Sequence, residues 1–210
     1  MSRVLVLSPH TDDAEWGCGA TIAKHVENGD EVTVITFSSC SDSLPSYIEA
    51  NALKWEHVNS MAALGVEDFL ILDYPVRRFE EHSSSIRHII WRLINECVKP
   101  DIVYTPWLGS LHQDHAVIAK CARQVCRHRD MSVYGYYICD DGTGFSPNHF
   151  EILNDSSVSK KFKALECYNS QKVLRKWWTL RNFESIVRYW APSTTAEFTE
   201  AFEVIRSITK

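Results

Sequence analysis

The 210-residue sequence has no apolar run approaching the ~20 residues that a membrane-spanning helix needs. Its leading segment, "MSRVLVLSPH", is apolar over too short a stretch for a signal peptide. A cytoplasmic protein with no membrane partner is therefore expected. Positive charge is not in excess either: 22 Lys and Arg against 27 Asp and Glu leave a net charge of −5 at pH 7. A nonspecific nucleic-acid binder needs a basic face to displace counterions from phosphates, so no nucleic-acid partner is expected, although a local basic patch stays compatible with this charge. The seven cysteines (Cys18, Cys40, Cys97, Cys121, Cys126, Cys139, Cys167) are odd in number and contain no C-x-x-C pair. That speaks against zinc-ribbon and dithiol redox chemistry and for small buried thiols. Repeats, low-complexity tracts and linkers are missing too, so residues 1–210 read as a single domain. The Walker pattern is absent, and "GCGATI" places Ile22 where a dinucleotide loop has its third glycine.

What is present is an alternation. "RVLVL" reads as a buried strand, followed by a helix ending at Asn28-Gly29. Then come "EVTVITF" as strand, a helix through "YIEANALKWEHVNSMAAL" closed by Gly65, and "FLILDY" as strand. "SIRHIIWRLINECV" continues as helix, "DIVYTP" as strand, "DHAVIAKCARQVC" as helix and "VYGYYI" as strand. This rhythm predicts an α/β fold, a Rossmann-like mostly parallel sheet flanked by helices on both faces. Past Ile138 the rhythm stops. "CDDGTGFSPNHF" reads as irregular, "SVSKKFKALECYNSQKVLRKWW" as helix with a serine cap, "NFESIVRYW" as helix, and "EFTEAFEVIRS" as helix or short strand.

Two polar clusters sit where such sheets place their chemistry, at the carboxyl ends of strands. "HTDD" (His10 to Asp13) follows the first strand and "HQDH" (His112 to His115) follows the fourth. Either cluster alone reads as a surface hydrogen bond or a helix cap. If the two strands belong to one parallel sheet, the clusters share an edge and meet. Two imidazoles and a carboxylate suit a catalytic zinc ion, which takes three protein ligands and leaves a position open. Amide hydrolysis needs an activated water, relief of charge on the carbonyl oxygen and a proton for the departing nitrogen. A bound metal ion and two further side chains cover all three needs.

On "HTDDAEWGCGAT" and "HQDH" the chain resembles the PIG-L / LmbE-like family of N-acetylglucosaminyl deacetylases, whose fold is a three-layer sandwich. The resemblance extends through "AALG" (62–65), "DYPVRRF" (73–79), "KPDIVYTP" (99–106) and "KKFKALECYNSQ" (160–171). It implies one divalent metal ion, zinc or ferrous iron, held by His10, Asp13 and His115. It also implies Asp12 as general base, His112 as the group that stabilises the transition state or helps protonate the leaving amine, and Asp114 as the residue orienting His112. The implied substrate is a small N-acetyl amino sugar or sugar conjugate, free or nucleotide-linked, which loses its acetyl group as acetate. The resemblance leaves room for a homo-oligomer, since relatives are commonly trimers or hexamers. An amidase acting on a bulkier acyl group and a non-catalytic nucleotide- or sugar-binding module are the alternatives.

Several residues depart from the family pattern. Thr11 stands where relatives carry proline, Leu53 where many place a substrate-contacting arginine, and Ser110 where an aspartate is usual. Arg78, after the third strand, is the candidate substrate contact, set against a solvated pairing with Glu80 or Glu81. Glu15 is expected to support a ligand histidine or to sit favourably in a first helical turn. Gly17 and Gly19 are expected to permit close helix packing, and Cys18 to pack beside them. Trp177, Trp178 and Trp190 read as core rather than as platforms for sugar rings. His25, His57, His82, His88, His128 and His149 read as ordinary surface or helix residues.

Overall fold

The computed structural model describes residues 1–138 and 141–209. Seven strands are present: β1 (Arg3–Ser8), β2 (Glu31–Thr36), β3 (Asp68–Ile71), β4 (Ile102–Pro106), β5 (Ser132–Tyr136), β6 (His149–Ile152) and β7 (Thr199–Arg206). They form one sheet in the order β3-β2-β1-β4-β5-β7-β6. The first five strands are mutually parallel, whereas β7 runs antiparallel to both β5 and β6. The helices are α1 (Asp13–Glu27), α2 (Ala52–Leu64), α3 (Ser83–Arg92), α4 (Gln113–Cys126), α5 (Asp155–Glu166), α6 (Asn169–Leu174) and α7 (Leu180–Tyr189).

The uninterrupted apolar run of β1 follows from burial on both faces. Val4 and Val6 pack with Trp16, Met61 and Leu165 on the layer of α1, α2 and α5. Leu5 and Leu7 point the other way, into Ile86, Ile90, Val117 and Ile118 of α3 and α4. The expected α/β sandwich is therefore what these residues build. Among the described residues no helix is long and apolar enough to cross a membrane.

Local signals explain most boundaries. Gly65 closes α2 at φ 83°, with its amide bonded to Ala62 and that of Val66 to Met61. Gly17 lies flat against the Tyr136 ring, where a β-carbon would clash, as close helix-to-strand packing requires.

The tail departs from expectation in three ways. The helix expected across "SVSKKFKALECYNSQKVLRKWW" is two helices, because Tyr168 leaves helical geometry (φ −82°, ψ 72°) to reach beneath the cleft. Its cap is Asn154, whose side chain accepts from the Ser157 amide at 2.7 Å, rather than a serine. The "EFTEAFEVIRS" segment takes the strand alternative, completing the sheet as β7, and the third departure is that part of the stretch expected to be irregular pairs with it as β6. Cys139 lies outside the described residues.

α1 is not continuous. Cys18 adopts φ −146°, ψ 23°, so the helix breaks and restarts one turn into its length. The restart leaves fresh amide donors, and Glu200 of β7 accepts from Ala20 (3.2 Å) and Thr21 (2.7 Å). Lys161, fully buried, neutralises Glu200 at 2.5 Å and donates to the Trp16 carbonyl at 2.8 Å.

Candidate active site and metal centre

β1 and β4 are neighbours, yet their connections leave toward opposite sides of the sheet, which opens a crevice at their carboxyl ends. The loop after β1 carries His10 to Asp12 into it, and α1 starts there with Asp12 as its cap residue. The loop after β4 delivers His112, the cap residue of α4, with His115 in the first turn. Two clusters remote in sequence thus meet in a cleft of about 680 Å³.

Within it His10 Nδ1 lies 3.0 Å from Asp13 Oδ2, and His115 Nε2 lies 3.1 Å from the same oxygen. The two imidazole nitrogens are 3.3 Å apart. Roughly 3.3 Å is the edge of a tetrahedron around an ion with 2.0–2.1 Å bonds, so the donor triangle has the size and chemistry of a zinc-type site. His112 is a further donor close by, since ligand atoms of His10, His112 and His115 all lie within 4.8 Å of one another.

Each of the two triangle histidines is fixed through its other nitrogen by a carboxylate. His10 donates from Nε2 to Asp114 at 3.0 Å, and His115 from Nδ1 to Asp141 at 3.1 Å. Such outer carboxylates set tautomer and ring orientation and raise ligand basicity. Asp114 therefore orients His10 rather than His112, contrary to expectation, because its carboxylate is turned toward β1 by the amides of Arg77 (2.6 Å) and Phe79 (3.3 Å). Only its backbone amide reaches His112, donating to Nδ1 at 3.2 Å. Asp141 was not singled out by sequence reasoning, although it follows a parallel strand at the same sheet edge. It also accepts from the Ser110 hydroxyl and from the His112 amide at 3.3 Å.

The electrostatics follow from burial plus proximity. Burial works against charge on His10 and His115, but Asp13 and the outer carboxylates together overcome it and lift them to about 8 and about 10. Burial likewise opposes the Asp13 anion, and the two imidazoles overcome it, holding its carboxyl well below the usual range. Burial and the neighbouring imidazoles push His112 down to about 4. Asp12 is raised to about 6, first by burial and then by Asp13, against the opposing charge of Arg175.

Arg175, entering from just past α6, has its guanidinium 3.9 Å from Asp12. Trp177 lines the same cleft, 44% exposed and stacked at 5.8 Å on Trp16, while Trp178 is buried. The core expectation thus holds for Trp178 and not for Trp177.

Arg78 stands apart from this cleft, bound through two nitrogens to Glu81 and solvent-exposed. Its neighbour Arg77 lines the cleft instead. Glu15 touches no triangle residue. It is fully buried and accepts from Ser60 (2.6 Å) and Tyr168 (2.6 Å), with His57 at 3.3 Å. His57, expected to be ordinary, is also fully buried and donates to the Thr11 carbonyl at 2.7 Å, as Tyr168 does. This network holds the backbone between His10 and Asp12 from below, and nothing in the spacing of His57 announces it.

The chain is 25% identical over 171 residues to the uncharacterized deacetylase YaiS of Escherichia coli K12, covering 80% of this chain and 90% of that protein. Its fold is similar to that of N,N'-diacetylchitobiose deacetylase from Pyrococcus horikoshii (TM-score 0.79, 22% identity, 97% of this chain and 84% of that one). It is also similar to a deacetylase of teicoplanin biosynthesis (TM-score 0.77, 19% identity, all of both chains). The PIG-L family model, described as GlcNAc-PI de-N-acetylase, matches residues 5–126, a span that contains the whole His10, Asp13 and His115 triangle. By that match, the chain belongs to the PIG-L family.

Proposed function

We propose that this protein is a metal-dependent deacetylase that hydrolyses the N-acetyl group of an amino sugar or sugar conjugate to acetate and free amine. The carrying observation is the convergence of His10, Asp13 and His115 to within 3.3 Å in an open cleft that also holds Asp12 and His112. His10, Asp13 and His115 would hold one divalent cation, zinc or ferrous iron, which suits a set of two imidazoles and a carboxylate. When bound, such an ion supplies Lewis acidity toward the scissile carbonyl and the attacking water.

The remaining work falls to protein side chains. Asp12, raised to about 6 by burial and Asp13, takes a proton from the attacking water and passes it to the departing nitrogen. His112 accepts the Asp114 amide at Nδ1, which assigns its proton to Nε2. Held neutral by burial and by His115, it serves as a hydrogen-bond donor to the oxygen where negative charge develops. Asp114 and Asp141 keep His10 and His115 turned inward. Trp177, partly exposed in the cleft lining, supplies an aromatic edge suited to a sugar ring.

The test is acetate release from a panel of N-acetylated sugars, free and nucleotide-linked, alongside substrates with bulkier acyl groups, with metal content measured on the same preparation. Turnover with near-stoichiometric metal is expected. Hydrolysis confined to bulky acyl groups would replace deacetylation by a broader amidase activity, and no turnover of any of them would overturn the reading.

A further inference from the structure

Two arginines line the cleft, Arg77 and Arg175, and a third, Arg78, stands outside it. Arg78 is clamped by Glu81, and Arg175 is beside Asp12 with its guanidinium 5.3 Å from the centre of the Trp177 ring. Arg77 is different. It lines the cleft, is exposed, and its side chain has no ion pair or hydrogen bond among the described residues. Asp42, a loop acid, accepts from the amide of the preceding residue, Val76.

Arg77 also has φ 64°, a left-handed conformation that glycine adopts freely and a side-chain-bearing residue adopts only under constraint. The constraint is visible: its amide donates to Asp114 at 2.6 Å and its carbonyl accepts from Gln113 at 2.5 Å. The backbone is therefore tied on both sides to α4, the helix that carries His115. A position that demands only a turn is best filled by glycine. Here it holds a long cation, fixed at its root to the site and left without a counter-ion among the described residues.

From these features we infer that Arg77 is a specificity-determining residue that reads an anionic substituent, phosphate or carboxylate, on the substrate. This rests on the reading of the cleft as a site for N-acyl sugars and adds the charge of the sugar that fits it. A guanidinium suits either anion through paired N–H donors, and the exposed position lets it close on a group projecting from the cleft mouth.

The experiment compares N-acetylglucosamine, N-acetylglucosamine 6-phosphate and N-acetylmuramic acid as substrates of the metal-loaded protein and of Arg77→Gly and Arg77→Lys. Glycine relieves the left-handed backbone while removing the charge, so its melting temperature is expected within about 3 °C of the unsubstituted protein. At least one anionic sugar should exceed the neutral one in kcat/KM by about tenfold, the scale of one charge-assisted hydrogen bond. In Arg77→Gly that ratio should collapse toward one through a rise in KM, and Arg77→Lys should restore part of it. The phosphate and carboxylate arms show which anion is preferred. A neutral sugar processed as well as both anionic ones, or an equal loss on all three in Arg77→Gly, overturns the inference and leaves the deacetylase reading intact. If none is hydrolysed, the deacetylase reading fails and calorimetric binding decides: tighter binding of an anionic sugar that Arg77→Gly weakens supports the inference, and equal binding overturns it.

Discussion

Two buried clusters of opposite charge lie along the same helix, and they differ in what they leave open. Beneath the kink of α1, Lys161 and Glu200 form a closed set in which Glu200 also accepts two amides and Lys161 also meets a carbonyl. At the amino end of α1, His10, Asp13 and His115 also pair, but their donor atoms aim at one point on the wall of a cleft. Burial raises the strength of charge interactions in both places. In the closed cluster that strength holds a broken helix together, whereas in the open one it gathers the residues proposed to hold a cation.

The sharpest way to separate the two clusters is Asp12→Asn. Loss of the proposed base should lower kcat for acetate release by about 10²- to 10⁴-fold. Because burial holds Asp12 above its ordinary value, its ionised form weakens the fold, so urea unfolding of this variant should show a midpoint equal or higher. Lys161→Met should do the reverse. It strands Glu200 without its partner and should remove about 3–5 kcal/mol of unfolding free energy, read from the same denaturation curves. Full stability in Lys161→Met would break the comparison.

Smaller effects are expected from the carboxylates behind the histidines. Asp114→Asn and Asp141→Asn should each weaken zinc binding by about 10- to 100-fold, measured by competition with a chromophoric chelator. The smallest effect belongs to a third, more accessible cluster, Glu151 with His149 and Lys24. Burial raises Glu151, but hydrogen bonds from His149 and Lys24 outweigh it and hold the carboxyl at about 2, against an ordinary 4.5. A carboxyl lowered in the folded state contributes fully above pH 4.5 and loses that contribution as pH falls toward 2. Glu151→Gln should flatten the stability profile in that window, as thermal melts across pH would show.

The chemistry was more legible in sequence than the supports beneath it. "HTDD" and "HQDH" are short, dense and placed after apolar strands, so their convergence follows from a parallel sheet alone. Asp114 misleads because a residue two positions from His112 looks like its partner, while its carboxylate bonds His10 across 104 positions. Arg77 and Arg78 are adjacent in sequence, and only the left-handed turn at Arg77 decides which one enters the cleft. β7 was ambiguous because Glu200 interrupts its apolar face. That inward charge has meaning only once Lys161 and the kink at Cys18 are known.

The bonds from Glu200 to Ala20 and Thr21 span 180 and 179 residues. During synthesis, the helix that presents Asp13 therefore emerges long before the strand that secures its middle turn. Until that strand is made, its exposed amides depend on water. Contacts this remote slow folding and lengthen the time in which partly assembled chains are open to association.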